Sequence, residues 1–67
     1  MAARDALLYR IHGEFEEMPG LSLTPGQAAR LFGLSLDIAS RILERLTAAR
    51  VLRRSRDGQF ALSAEES

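Results

Sequence analysis

The stretch that decides the fold is TPGQAARLFGLSLDIASRILERL, residues 24–46. At its start Thr24 can cap a helix, and Pro25 suits the first helical position, where a missing backbone N–H costs nothing. The glutamine three residues after the threonine can bond back to the cap residue and complete a capping box. The pattern predicts a helix over residues 25–32 that ends at Gly33, because glycine readily takes the left-handed conformation common at helix ends.

A second helix is predicted over residues 36–49, with Ser35 as its N-cap. Its apolar residues recur at spacings of three and four, which is typical of a helix with one buried side. The buried side comprises Ala39, Ile42, Leu43 and Leu46, and the outward side comprises Asp37, Ser40, Arg41, Glu44, Arg45 and Ala48. Only Leu34 lies between the glycine that ends one helix and the serine that caps the next. The two helices therefore form a tight helix-turn-helix.

Upstream of this pair, residues 3–17 are predicted to form an amphipathic helix that Pro19 and Gly20 end. The apolar stripe of this helix comprises Leu7, Leu8, Ile11, Phe15 and Met18. The inner side of the helix over residues 25–32 comprises Ala28, Leu31 and Phe32. Residues 21–24 alternate in character and predict a short edge strand that can pair with a later hairpin.

Downstream, residues 51–63 predict a β-hairpin. Two short apolar runs flank Asp57-Gly58, the pair that best tolerates a two-residue type I′ turn. The register that follows from such a turn places Arg56 opposite Gln59 and Ser55 opposite Phe60.

The length indicates one small domain over residues 1–67, and the predicted elements make it mainly α with a small β-hairpin. The tail at residues 64–67 is expected to fray. With 46% hydrophobic and 27% charged residues and no long apolar run, we expect a globular protein with no membrane partner. Its start lacks the pattern of a secretion signal, so we expect it to be cytoplasmic. Zero cysteines and one histidine leave no basis for a metal site, a cofactor or a catalytic triad, and we expect no enzyme.

Positive charge is concentrated in one part of a chain whose net charge is zero. Residues 1–37 carry three arginines against five acids, whereas residues 38–56 carry six arginines against Glu44 alone. All nine basic residues are arginines, whose planar fork of donors suits phosphate and guanine. A GC-rich genome would also favour arginine, so composition by itself does not indicate a nucleic-acid partner.

The order helix, short strand, helix, tight turn, helix and hairpin resembles that of the winged helix-turn-helix family of DNA-binding domains. Two stretches carry the resemblance: QAARLFGLSLDIASRIL, in which the small Ala29 precedes Gly33 by four residues, and RRSRDGQFAL, which is similar to a wing. The segment SLDIASRILERL looks like the second motif helix of small bacterial transcriptional regulators. The family usually has glycine where this chain has Arg50, so either Arg50 is left-handed or the helix ends differently.

The resemblance implies a three-helix winged helix-turn-helix fold that binds double-stranded DNA sequence-specifically, with helix 36–49 in the major groove and wing residues 53–59 on the backbone. The matching positions that face base edges are Ser35, Asp37, Ile38, Ser40 and Arg41, with Arg45 nearer the backbone, and those of the wing are Arg53, Arg54 and Arg56. Such a protein is expected to be a transcriptional regulator that acts as a homodimer.

A different interpretation of the same residues stays open. Arg41 can simply pair with Asp37 on a solvated helix face, and the hairpin arginines can serve to keep an edge strand from aggregating. The chain would then be a winged-helix module for protein–protein interaction or dimerisation, without DNA binding, possibly with another regulatory protein as its partner. Salt-dependent binding to duplex DNA separates the two hypotheses.

The helix over residues 3–17 carries a second candidate surface, comprising Tyr9, Gly13 and Glu16. Tyr9 lies nearly opposite the apolar stripe, where the chain's own core cannot receive it. Gly13 in mid-helix costs about 1 kcal/mol relative to alanine, which indicates either a tolerated glycine or a close approach by another backbone. His12 lies at the margin of the stripe, and we assign it no function.

Overall fold

The computed structural model describes the chain over residues 3–63, with side chains from Ala6 onward. Its elements are α1 Ala3–Glu17, β1 Ser22–Leu23, α2 Pro25–Phe32, α3 Leu36–Ala48, β2 Leu52–Arg54 and β3 Phe60–Leu62. The predicted three-helix winged helix-turn-helix arrangement is confirmed. Among the element bounds, α3 ends one residue early, with Ala49 as its C-cap, and β1 is two residues long. The predicted fraying of residues 64–67 lies outside the described residues.

The helix ends in the deciding stretch form as predicted. Thr24 Oγ1 accepts a hydrogen bond from the Gln27 backbone N–H at 3.1 Å, and Gln27 Oε1 accepts one from the Thr24 N–H at 3.0 Å. Gly33 closes α2 in the left-handed region, with φ 69°. Ser35 Oγ then accepts from the Ile38 N–H at 3.2 Å and starts α3. These local bonds fix the short connection, so α2 and α3 must cross closely.

The three strands form one antiparallel sheet in the order β1-β3-β2. The predicted pairing of the upstream strand with the hairpin is confirmed, because Leu23 lies opposite Phe60. Strand β3 is therefore central, and β2 forms an exposed edge of the sheet.

The hairpin loop corrects the predicted turn. Arg54, rather than Ser55, lies opposite Phe60. Ser55, rather than Arg56, lies opposite Gln59, because the Ser55 N–H donates to the Gln59 carbonyl at 2.8 Å. The Gly58 N–H donates to the Ser55 carbonyl at 3.0 Å and Gly58 has φ 81°, whereas Asp57 does not have the positive φ that a type I′ turn requires. The loop thus has three residues, with a tight turn followed by a left-handed glycine, and the register shifts accordingly.

A single core lies between the three helices and the sheet. Its buried residues are Ile11, Phe15, Leu23, Ala28, Ala39, Ile42, Leu43, Leu46, Leu52 and Phe60. All four residues predicted for the inner side of α3 belong to it.

Two residues predicted to face inward are exposed instead. Met18, 46% exposed, lies beyond the end of α1, where the helical spacing no longer determines its direction. Leu31, 56% exposed, and the half-buried Phe32 lie on opposite sides of Ala28 around α2. This two-turn helix is covered only on the side of Phe32, which packs against the core.

The end of α3 adopts the left-handed alternative at Arg50, with φ 68°. The Val51 N–H donates to the Leu46 carbonyl and the Arg50 N–H to the Thr47 carbonyl, each at 2.9 Å. These two bonds define a Schellman motif, which usually has glycine at the left-handed position. Arg50 is the only non-glycine residue with positive φ in the described part of the chain.

Arg50→Gly should raise the free energy of unfolding by about 1 kcal/mol, because glycine adopts this conformation without the Cβ clash. Urea unfolding followed by circular dichroism measures the change. Ala49→Gly is the matched control, since φ at Ala49 is an ordinary −84° and glycine there should lower stability. A loss of stability in both variants would contradict the assignment of strain to Arg50.

Candidate nucleic-acid interface

The outward side of α3 is open to solvent as predicted. Asp37, Ile38, Arg41 and Arg45 are exposed, as is the cap residue Ser35, whereas Ser40 is half-buried. Because the opposite side of the same helix is packed into the core, these side chains cannot turn inward. Helix α3 therefore presents a fixed polar surface that carries two arginines.

The cap bond of Ser35 leaves its hydroxyl able to contact a partner. Its oxygen accepts from the Ile38 N–H, and the hydroxyl hydrogen stays available to donate. The backbone N–H groups of the first turn of α3 lie beside it, and the N-terminus of a helix favours anions. Ser35 is thus compatible with a phosphate contact while it holds the start of α3.

The predicted attraction between Asp37 and Arg41 is present. Arg41 Nε lies 3.6 Å from Asp37 Oδ2, and both side chains are more than half exposed. A pair this exposed and this long contributes a few tenths of a kcal/mol at most. Arg41 can therefore exchange this carboxylate for another acceptor at little cost.

The other predicted arginines form no ion pair within residues 6–63. Arg45, Arg53, Arg54 and Arg56 are all exposed, and no carboxylate of that range lies within 4.0 Å of any of them. Their charge is consequently available to an external anion.

The wing is held in place by polar contacts at its base. Ser22 Oγ donates to Gln59 Oε1 at 2.6 Å, and Ser55 Oγ accepts from the Gln59 N–H at 3.3 Å. The first bond joins the strand before α2 to the hairpin, and the second closes the hairpin loop. The position of the wing relative to α3 is therefore determined by the fold.

The predicted residues divide between the two flanks of α3. On the wing flank, Arg54 and Arg56 line an open groove together with Ser40. On the α1 flank, Arg41 and Arg45 line a second, more apolar groove with Ile38. The predicted arginines are thus not gathered on one patch.

Acidic residues occupy the centre of the exposed face, between these flanks. Glu44 lines the grooves on both sides, and Asp37 lies two turns before it on the same stripe. The sequence shows that both are outward, but their place between the two groups of arginines appears only once the wing is positioned.

Arg50 and Pro25 extend the predicted set. Arg50 lines a third groove with Arg53 and Arg54, and Pro25 lines the groove of the wing flank. The helical period could not locate Arg50, because the left-handed residue departs from the helix. No sequence signal points to Pro25 beyond its part in starting α2.

The second candidate surface lies on the outer side of α1. Tyr9 is 79% exposed, and a Cβ added at Gly13 would meet nothing within 4 Å. Glu16 Oε2 lies 3.1 Å from His12 Nε2, one turn away on the same helix. Tyr9 thus lies largely in solvent, and within the described residues no neighbour requires a glycine at position 13.

Comparisons with known proteins do not assign the chain to a family. No protein-family model matches it, and neither curated proteins nor solved structures gave a significant match. Among the helices described, none has the length and apolar character needed to cross a membrane. Within the same residues, no three histidine, cysteine or acidic side chains are grouped as metal ligands.

Ser35→Ala should lower the free energy of unfolding by about 1 kcal/mol, because the Ile38 N–H loses its acceptor. Ser35→Asn, which retains a capping oxygen, should stay within a few tenths of a kcal/mol of the unsubstituted protein. Chemical denaturation of the three proteins under one set of conditions provides the comparison. Equal losses in both variants would show that the cap does not stabilise α3.

Proposed function

We propose that the chain binds double-stranded DNA sequence-specifically and acts as a bacterial transcriptional regulator. In this proposal α3 lies in the major groove and the wing, residues 53–59, contacts the backbone. The observation that supports it best is the exposed face of α3 with arginines on both flanks and an anchored arginine-bearing wing beside it. The role is one of binding, in the cytoplasm, without catalysis, a cofactor or a membrane partner.

The division of the arginines suits a helix lying in a groove. A helix with its side chains is about 10–12 Å across, and the major groove is about 12 Å wide. A helix lying in it therefore has a phosphate backbone close to each flank. Arg45 would meet one backbone, and Arg54 and Arg56 would meet the other.

Residues of the central stripe, together with Ile38 and Arg41 of the α1 flank and Ser40 of the wing flank, would then face the bases. Arg41 can bond guanine in a bidentate manner, and Ile38, 37% exposed, can contact a thymine methyl group. Asp37 and Glu44 can accept a hydrogen bond from the amino group of cytosine. Their carboxylates, which phosphates repel, would then favour sites that carry cytosine at these positions. Ser35 and Ser40 can donate to phosphate or to a base edge.

The alternative function is a winged-helix module that binds protein, including another regulatory protein. It is favoured by apolar side chains beside the helix-turn-helix, because Leu31 and Leu36 are 56% and 58% exposed. An interface with a protein partner would remove these two side chains from water.

Fluorescence anisotropy with labelled duplexes over a salt series tests the proposal. If phosphates are neutralised, the logarithm of the association constant falls linearly with that of the salt concentration. A preferred site selected from a randomised duplex library then supplies the specific target. Absence of measurable binding, or a flat salt dependence, would favour the protein-binding alternative.

Arg41→Ala should weaken binding to the selected site by about 1–3 kcal/mol while changing affinity for a scrambled duplex far less. Arg54→Ala should weaken binding to both duplexes alike and reduce the salt slope by about 1. Arg30→Ala, an exposed arginine of α2 that lines neither flank, is the control and should change neither. Equal losses on all duplexes for Arg41→Ala would overturn its assignment to base recognition.

Glu44→Gln should strengthen binding to scrambled duplexes several-fold, because it removes a carboxylate from between two phosphate backbones. At the selected site the gain should be smaller wherever Glu44 accepts from cytosine. The same anisotropy titrations measure both effects, with Glu14→Gln on α1 as the charge-matched control. Unchanged affinity for scrambled DNA would place Glu44 outside the interface.

A further inference from the structure

The outer face of α1 lies on the side of the helix opposite the core, and no other element of residues 6–63 is packed into the core from that side. It consists of Tyr9, Arg10, Gly13, Glu16 and Glu17, of which all but the half-buried Gly13 are exposed. The residues of α1 that enter the core, Ile11 and Phe15, lie on the other side of the helix.

Among the described residues, no packing contact accounts for a glycine at position 13. A glycine inside a helix costs about 1 kcal/mol relative to alanine. An added Cβ at this position would meet no atom within 4 Å, so no neighbour in the described structure requires its absence. The backbone of α1 is therefore open to close approach from outside.

The polar side chains of this face occupy matching positions before and after Gly13. Arg10 lies three residues before it and Glu17 four residues after it, on the same edge of the face. Tyr9 and Glu16 occupy the opposite edge at four residues before and three residues after. Each edge thus carries one carboxylate near its C-terminal end and, near its N-terminal end, one side chain that can donate to a carboxylate.

This pattern is self-complementary about a two-fold axis that passes between two facing Gly13 residues and runs perpendicular to α1. The axis pairs each edge of α1 with the same edge of an antiparallel copy. The paired residues, three and four positions from Gly13, lie about 4.5 and 6 Å along the helix from the crossing point. Arg10 then meets Glu17 of the second copy, and Tyr9 can donate its hydroxyl hydrogen to Glu16 of the second copy. Within residues 6–63 neither Arg10 nor Glu17 has an ion-pair partner of its own.

We propose that the outer face of α1 packs antiparallel against the same face of a second copy of this chain, with the two Gly13 residues at the crossing point. The partner is a second copy because the face complements itself in charge about one residue that permits close approach. The inference does not depend on DNA binding, since self-association is measured without DNA.

The contact is small, and its strength follows from that. One helix against one helix buries less than the roughly 1,200–2,000 Å² of a stable specific interface, so the dimer is weak when free. Two copies on adjacent half-sites would be held at high effective concentration, and a weak contact then suffices. The two copies would have dyad symmetry, which matches an inverted repeat in a target.

Sedimentation equilibrium up to about 1 mM, without DNA, tests the proposal. The unsubstituted protein should self-associate, and Gly13→Gln should weaken association at least tenfold because its side chain separates the helices. The same variant, measured dilute, should unfold at a higher denaturant concentration, since glutamine favours a helix more than glycine does. Glu14→Gln places the same residue about 100° around the helix, outside the face, and should associate normally.

A charge reversal tests the pairing itself. Arg10→Glu should weaken association by placing two carboxylates together, and Arg10→Glu combined with Glu17→Arg should restore it. A protein that stays monomeric up to about 1 mM overturns the assignment to a second copy. Association that is insensitive to Gly13→Gln, or that the double reversal fails to restore, overturns this surface as the interface.

Discussion

The packing of one side of α3 into the core is the constraint on which the rest of the structure depends. Ala39, Ile42, Leu43 and Leu46 are buried against the other helices and the sheet, so the rotation of α3 about its own axis is determined. Once that rotation is set, the direction of every exposed side chain of α3 follows. The candidate interface is therefore the reverse side of a hydrophobic core, and the core determines where each of its side chains leaves the helix.

Features that depend on a few adjacent residues could be predicted from the sequence. The caps at Thr24 and Ser35 and the left-handed Gly33 each involve bonds within one turn of helix, and all three are confirmed. The loop of the hairpin could not be predicted, because Asp57-Gly58 is compatible with more than one turn and the register decides between them. Leu31 likewise depended on which side of a short helix its neighbours cover.

The exposure of the candidate site residues could be predicted for all but the half-buried Ser40, whereas their arrangement could not. Helical spacing identified the outward side of α3, whereas the distribution of arginines on two flanks depends on where the wing lies. That position is set by contacts between distant parts of the chain, such as the bond from Ser22 to Gln59. Asp37 and Glu44 gain their central place from the same long-range geometry.

The central position of β3 links parts of the chain that are far apart in sequence. Strands β1 and β2 do not pair with each other, and each is joined to the sheet only through Phe60–Leu62. Detachment of β3 would free both edges at once, together with the anchor of the wing and the segment that leads into α2. Loss of β3 would therefore release the upstream strand and the wing together, whereas loss of β1 alone would leave β2 and β3 paired.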